Sequence, residues 1–169
     1  MKAKSSKTLR EADALSDASD RVIAVARTHD RLWREAGGDT IDLRALLSEL
    51  CETLSEQLEH LDIRCASEDI EAAPDHAVSF ALLVTELVTN AAKHAYGANG
   101  GIVHVALTHD GALRLLQVSD EGVGLVPGFN IETVSEGSLG MSLIQALAQS
   151  LGGTIEIVHG RGATFKVRF

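Results

Sequence analysis

The chain has 169 residues, 45% of them apolar, enough to fill the core of one compact domain with a helical appendage. Fifteen Lys and Arg against 24 Asp and Glu leave a formal charge of −9, which repels a nucleic-acid backbone or an anionic membrane surface and argues against both as partners. A small polyanion such as a nucleotide stays compatible with that charge, because a divalent cation and oriented backbone N–H groups offset it locally.

From Leu15 to about Glu35, the residues Leu15, Ala18, Val22, Val25, His29 and Leu32 fall at alternating spacings of three and four, the seam of a helix packed on another helix. Gly37-Gly38 ends it. Asp39-Thr40 can cap a second helix carrying Leu43, Leu46, Leu47, Leu50, Leu54 and Leu58. A short extended piece over residues 62–66 follows, and Pro74-Asp75 opens a long apolar-periodic helix through Tyr96. Alternating runs over residues 102–107 and 112–118, joined by His109-Asp110-Gly111-Ala112, predict a β-hairpin. Gly122, Gly124, Pro127, Gly128, Gly137 and Gly140 then mark a stretch too rich in glycine for a regular element. A helix over residues 139–151 ends at Gly152-Gly153, and two strands over residues 154–158 and 164–169 pair around Gly160-Arg161-Gly162. Helices and antiparallel hairpins in blocks make the class α+β, with one sheet covered on one face. Cys51 and Cys65 form no Cys-x-x-Cys pair and have no histidines at zinc spacing, so reduced, structural thiols are expected. No apolar run reaches membrane-spanning length, and Lys2, Lys4 and Lys7 precede acidic residues rather than an apolar signal core, so a cytoplasmic chain with no membrane segment of its own is expected.

The chemistry concentrates in four places. On the long helix, Glu86, Asn90 and Lys93 fall within about 60° of one another, opposite Val84, Leu87, Val88, Ala91 and Ala95. An Asn oxygen suits Mg²⁺, a carboxylate one turn earlier can orient a water or take a proton, and a lysine one turn later can neutralise phosphate oxygens. The plain alternative is an amphipathic helix with a solvated polar face. Asp120, where an alternating strand runs out, can accept a hydrogen bond from the exocyclic amine of adenine, which guanine does not offer, and Gly122 and Gly124 let backbone approach the base. The plain alternative there is an acidic turn. Glu136-Gly137-Ser138-Leu139-Gly140-Met141 precedes a helix whose N–H groups and dipole can hold triphosphate oxygens, and the loop can close as a lid. In the last hairpin, the Thr164 hydroxyl can bond an adenine nitrogen or a water beside it. Gly122-x-Gly124 lacks a third glycine at dinucleotide-binding spacing, and no Gly-Lys-Ser/Thr phosphate loop exists.

Glu86-x-x-x-Asn90, Asp120-x-Gly122-x-Gly124, Gly137-x-x-Gly140 and Gly160-x-Gly162-x-Thr164, in that order, resemble the conserved boxes of the Bergerat (GHKL) ATPases, the superfamily of gyrase, MutL and the sensor histidine kinases. Asn90-Ala91-Ala92-Lys93-His94, Ser138-Leu139-Gly140-Met141 and the closing Gly-Arg-Gly-Ala-Thr-Phe are most similar to histidine kinases. The resemblance covers about residues 41–169. It implies a Bergerat-type α/β sandwich, one mixed and mostly antiparallel sheet with helices on one face, forming an ATP-binding catalytic domain over residues 39–169 behind a helical arm over residues 1–38. It implies ATP and Mg²⁺ as cofactors, Glu86 as general base or orienting residue, and Asn90 as Mg²⁺ ligand. Lys93 and His94 would then stand near phosphates and ribose and Asp120 at adenine. Gly122, Gly124, Gly137, Ser138, Leu139, Gly140 and Thr164 would surround the nucleotide and its lid.

Residues 16–33 resemble the second helix of the dimerisation hairpin in kinases whose phosphoacceptor lies in a His-Arg-x-Lys-Asn motif. That motif is absent, with most of the first helix. The arm is therefore expected to be a partial dimerisation and phosphotransfer hairpin, giving a homodimer through residues 15–33, with the acceptor histidine on a separate acceptor-helix protein or in a part missing from a truncated chain. His29-Asp30 imitates the His-acidic pair of other histidine kinases, but its seam position favours a packed or capping histidine over a phosphoacceptor. The implied activity is transfer of the γ-phosphoryl group of ATP to a histidine for relay to a response regulator, by positioning and charge neutralisation. Two other readings compete. An anti-sigma-factor-type serine kinase shares the boxes but lacks the hairpin, and the seam from Leu15 to Leu32 favours the histidine kinase. A non-catalytic docking module would hydrolyse nothing, and intact Glu86, Asn90 and Asp120 argue against it.

Overall fold

The computed structural model of the chain describes residues 40–126, 128–129 and 139–169. The expected arm, with its seam, its dimer contact and His29, lies outside the described residues. The described elements are β1 (Ile41–Asp42), α1 (Leu43–Gln57), β2 (Leu61–Ser67), β3 (Glu71–Ala72), α2 (Pro74–His94), a 3₁₀ turn (Gly97–Asn99), β4 (Gly101–Asp110), β5 (Leu113–Asp120), α3 (Leu139–Ser150), β6 (Thr154–His159) and β7 (Ala163–Arg168). Five strands form one sheet in the order β2-β4-β5-β7-β6, and β1 pairs with β3 in a two-stranded ribbon. Within the sheet β2 and β4 are parallel, and the other neighbours are antiparallel. This is the mixed, mostly antiparallel sheet that the family resemblance implies.

Alternation fixes which face of the sheet is covered. Val105, Val118 and Phe165 stand side by side across β4, β5 and β7, as do Leu107, Leu116 and Val167, and all six are buried. They join one core cluster with Leu43, Leu47 and Leu54 of α1, with Phe80, Leu83, Val84, Leu87 and Val88 of α2, and with Ile144 and Leu147 of α3. The three helices therefore share one face. The other face carries His104, Thr108, Gln117, Ser119, Lys166 and Arg168. There Arg168 reaches Asp110 at 2.8 Å and Glu156 at 2.7 Å, tying both hairpins together.

Two local departures have physical causes. Helix α1 starts at Leu43 rather than at residue 41, because Ile41 and Asp42 are extended by pairing with Ala72 and Glu71. Asp42 is the cap: its carboxylate accepts from the N–H groups of Arg44 at 2.8 Å and Ala45 at 3.2 Å. Thr40 is drawn away and donates to Glu71 at 3.0 Å. Helix α2 has no side-chain cap. It starts on Pro74, whose fixed φ suits the first helical position and whose missing N–H is not needed there. Its first turn holds Asp75 and its last turn Lys93 and His94, matching the helix dipole.

Asp42→Ala is expected to lower stability by about 1 kcal/mol through loss of the cap, measured as a shifted urea midpoint at unchanged slope.

Candidate functional site

Glu86 lies on α2 with 3% of its surface exposed, and with Ser79 it makes up the buried polar residues among those described. Asn90, one turn later, is half-buried, and its Nδ2 is a buried donor with no hydrogen-bond partner among the described residues. Lys93 and His94 are exposed. The polar stripe of α2 thus runs from the interior to the surface over about two turns. A solvated polar face does not describe it, since a carboxylate is placed in the core only against a large desolvation cost. Helix α3 packs on α2, with a Ser79–Ser150 hydroxyl hydrogen bond of 2.9 Å joining the two.

The second part of the site gathers at the C-terminal end of α2. The Asp120 Oδ1 accepts from the backbone N–H of Gly122 at 2.9 Å and from that of Ala163 at 3.3 Å. One carboxylate oxygen therefore ties the end of β5 to the loop after it and to the start of β7. Two glycines make this convergence sterically feasible. A Cβ on Gly122 would collide with the carbonyl oxygen of Ala95, and one on Gly162 with that of Asp120. The Gly122 side of the loop is thus pressed against the end of α2, where Val123 N–H donates to the Ala95 carbonyl at 3.0 Å. Gly122 is needed by the helix end, and Gly124, at φ 73°, by its left-handed backbone.

Tyr96, the sole tyrosine of the chain, is a member of this cluster that sequence patterning passes over. Its hydroxyl donates to the Ile102 carbonyl and accepts from the Glu121 N–H at 2.6 Å, and its ring fills the space a Cβ on Gly101 would need. It bridges the end of α2, the start of β4 and the residue after Asp120. Burial raises its phenol above the ordinary tyrosine value, with the Asp120 and Glu121 carboxylates adding to the effect and the Glu121 N–H, which favours the phenolate, opposing it.

Thr164 does not join them. Asp120 pairs with the buried Val103 and, two residues from Val118, faces the helices. Thr164 pairs with Ser119 and alternates with the buried Ala163 and Phe165, which turns its side chain to the opposite face. Strand alternation thus corrects the expectation of a Thr164 hydroxyl beside the base. The contact to Asp120 comes instead from the main chain of Ala163, which residue type cannot advertise. Leu139 and Gly140 open helix α3, and Gly140 is half-buried. Gly137, Ser138 and the expected lid lie outside the described residues. Among the described residues no helix is long and apolar enough to cross a membrane.

A family model described as histidine kinase-, DNA gyrase B-, and HSP90-like ATPase matches residues 75–169, which contain Glu86, Asn90, Tyr96, Asp120 and Gly162. The chain belongs to this ATPase family. A second model, described as histidine kinase, matches residues 1–58 of the ATPase chain. The blue-light-activated histidine kinase 2 of Erythrobacter litoralis is 26% identical over 119 residues, 66% of this chain and 34% of that protein. The sensor histidine kinase PdtaS of Mycobacterium tuberculosis is 31% identical over 90 residues, 52% of this chain and 18% of that protein. The chain thus spans about a third or less of the curated relatives it matches. The solved histidine kinase domain of an Erythrobacter litoralis blue-light activated histidine kinase superposes with a TM-score of 0.79 at 21% identity, covering 96% of this chain and 84% of that one, and shares the fold.

Within the ATPase domain, Gly162→Ala is expected to push the last hairpin off Asp120 and to lower the melting temperature, whereas Gly111→Ala, with open space around its Cβ, changes packing nowhere and meets only the strain of its φ of 64°. Thermal melts of the two variants make the comparison. Tyr96→Phe should cost roughly 1–3 kcal/mol, because it strips a hydroxyl from two backbone groups. Since the folded phenol is raised above its unfolded value, its contribution is complete below the ordinary tyrosine range and fades as pH climbs to the folded value. The Phe variant should lack that alkaline loss in melts taken across the range.

Proposed function

We propose that this chain binds ATP together with Mg²⁺ and is the catalytic part of a two-component sensor histidine kinase, moving the γ-phosphoryl group of ATP to a histidine outside this chain for relay to a response regulator. The observation that carries the reading is the interior-to-surface stripe of Glu86, Asn90 and Lys93 on a helix whose end meets the Asp120 cluster. The names of the relatives, all histidine kinases, support it.

Among the described residues both hydrogen bonds to Asp120 use Oδ1. Its second oxygen can accept from the exocyclic amine of adenine, which selects ATP over GTP. Asn90 suits Mg²⁺ through its side-chain oxygen, a hard and neutral ligand that leaves most of the coordination to phosphates and water. The Asn90 amide nitrogen, without a hydrogen-bond partner among the described residues, fits a pocket that becomes satisfied when a ligand enters. Mg²⁺, when bound, supplies charge neutralisation across the phosphates. Lys93 adds a mobile positive charge from the exposed end of the stripe, and His94 lies beside it for phosphate or ribose. Glu86, held in a low-dielectric interior, orients the attacking imidazole or takes its proton. Gly137, Ser138, Leu139 and Gly140 lead into the N-terminus of α3, whose N–H groups and dipole favour phosphate oxygens. A homodimer through residues 15–33 and a cytoplasmic location belong to the same proposal. Thr164 has no part in it.

The chain is incubated with γ-labelled ATP and Mg²⁺, alone and with a separate acceptor-helix protein, and acid-labile label is followed. Asp120→Asn and Asn90→Ala are each expected to weaken ATP binding about tenfold or more, equivalent to about 1.4 kcal/mol. Unchanged affinity in both variants would remove the site assignment. Glu86→Gln should keep nucleotide affinity while label transfer collapses. Little label should appear on the chain alone; stoichiometric label that disappears in His29→Ala would put the acceptor in the arm instead.

A further inference from the structure

Leu47, Cys51 and Leu54 follow one another along the buried face of α1. On β2, Leu61, Ile63 and Cys65 alternate in register with Gly101, Val103 and Val105 of β4, so Cys65 stands on the helix-covered face of the sheet, at its edge strand. Helix α1 packs along β2, so the two thiols stand on facing surfaces, near enough for each to alter the ionisation of the other. Cys51 is buried and Cys65 exposed, and both are reduced. They are the two cysteines of the whole chain. The fold therefore brings together thiols that sequence spacing alone suggests are unrelated, and it leaves one of them open to solvent. From this juxtaposition we infer that Cys51 and Cys65 are a redox modification site, closing into a reversible intramolecular disulfide when the chain meets a hydroperoxide.

The roles within the pair differ. The neighbouring Cys51 thiol holds the Cys65 thiol below its ordinary value against the opposing effect of partial burial. The neighbouring Cys65 sulfur, and then burial, push Cys51 up. Cys65 thus ionises first, and it is also the sulfur that a dissolved oxidant can reach. The Cys65 thiolate attacks one oxygen of the hydroperoxide. An S–O bond forms, the O–O bond breaks and the other oxygen leaves as hydroxide or alkoxide, so that the sulfur loses two electrons and becomes a sulfenic acid. The Cys51 sulfur then attacks the sulfenic sulfur. The S–S bond forms, the S–O bond breaks, and the hydroxyl departs with the Cys51 proton as water. A dithiol reductant returns both thiols.

The bond would pin α1 to the sheet edge. Helix α1 lies within residues 1–58, the segment matched by the histidine kinase model, whereas β2 is part of the five-stranded sheet. An oxidant would thereby fix the helix that leads from one matched segment into the other. Formation of the bond depends on the two thiols alone and not on phosphoryl transfer.

The full chain, freed of reductant, is treated with hydrogen peroxide. Thiols are then counted by maleimide tagging after denaturation, with intact mass and a non-reducing gel alongside. Both thiols should disappear together, the mass should fall by two hydrogens, the chain should stay monomeric on the gel, and dithiothreitol should reverse all of it. In Cys51→Ala the reaction should stop at a Cys65 sulfenic acid that dimedone traps. In Cys65→Ser, changed at an exposed site and checked for fold by circular dichroism, the remaining Cys51 should resist the oxidant. Two thiols still taggable after treatment that fully oxidises a free cysteine peptide would overturn the inference, as would oxidation solely through disulfide-linked dimers. Equal peroxide reactivity of Cys51 in Cys65→Ser and of Cys65 in Cys51→Ala would overturn the order of attack.

Discussion

One carboxylate oxygen holds the functional end of this domain together. Asp120 Oδ1 receives N–H groups from Gly122 and Ala163, segments that are far apart in sequence. Because both donors are main-chain groups, their geometry survives only if neighbouring backbones come very close. Gly122 against the Ala95 carbonyl and Gly162 against the Asp120 carbonyl permit that approach. Tyr96 braces the same junction from the other side, between Ile102 and Glu121. The end of α2, the loop after β5 and the last hairpin are thus packed as one unit, and among the described residues both of these contacts fall on one oxygen of Asp120.

The length of α2 gives the site its depth. Most of the helix is core: Phe80, Leu83, Val84, Leu87 and Val88 fill the space above the sheet. Glu86 shares that burial, Asn90 sits halfway out, and Lys93 and His94 reach the surface. From Lys93 inward the polar groups of the helix are progressively less solvated. Electrostatic interactions strengthen along the same path, because the surrounding dielectric falls.

Much of this was legible in the residues. The apolar spacing of α1 and α2, the alternation of β4 and β5, and the Gly-bounded last hairpin specify an α+β domain, and the stripe of Glu86, Asn90 and Lys93 follows from helix periodicity. What escaped was set by partners distant in sequence. The cap of α1 moved from residues 39–40 to Asp42 because β3 draws Ile41 and Asp42 into a ribbon. Tyr96 reads as the tail of a helix until Ile102 and Glu121 are placed around it. Thr164 looked suitable by residue type, yet strand register turns it away and gives its place to the N–H of Ala163, a group every residue but proline carries. Cys51 and Cys65 have no motif spacing, and only the packing of α1 on β2 brings them face to face.

The position of β7 has a kinetic consequence. It lies between β5 and β6, so β5 finds one of its two neighbours only after the chain has passed through α3 and β6. A sheet whose central pairing joins Ser119 to Thr164 requires a large loop to close before the pairing is rewarded, and such non-local contacts slow folding. Helix α1 with β2, and the β4–β5 hairpin, can organise earlier from nearer contacts. The Asp120 junction, which needs β7 in place to receive the Ala163 N–H, is then among the last features to assemble. Chains halted before that step would hold most of their secondary structure and still lack the clamp around Asp120.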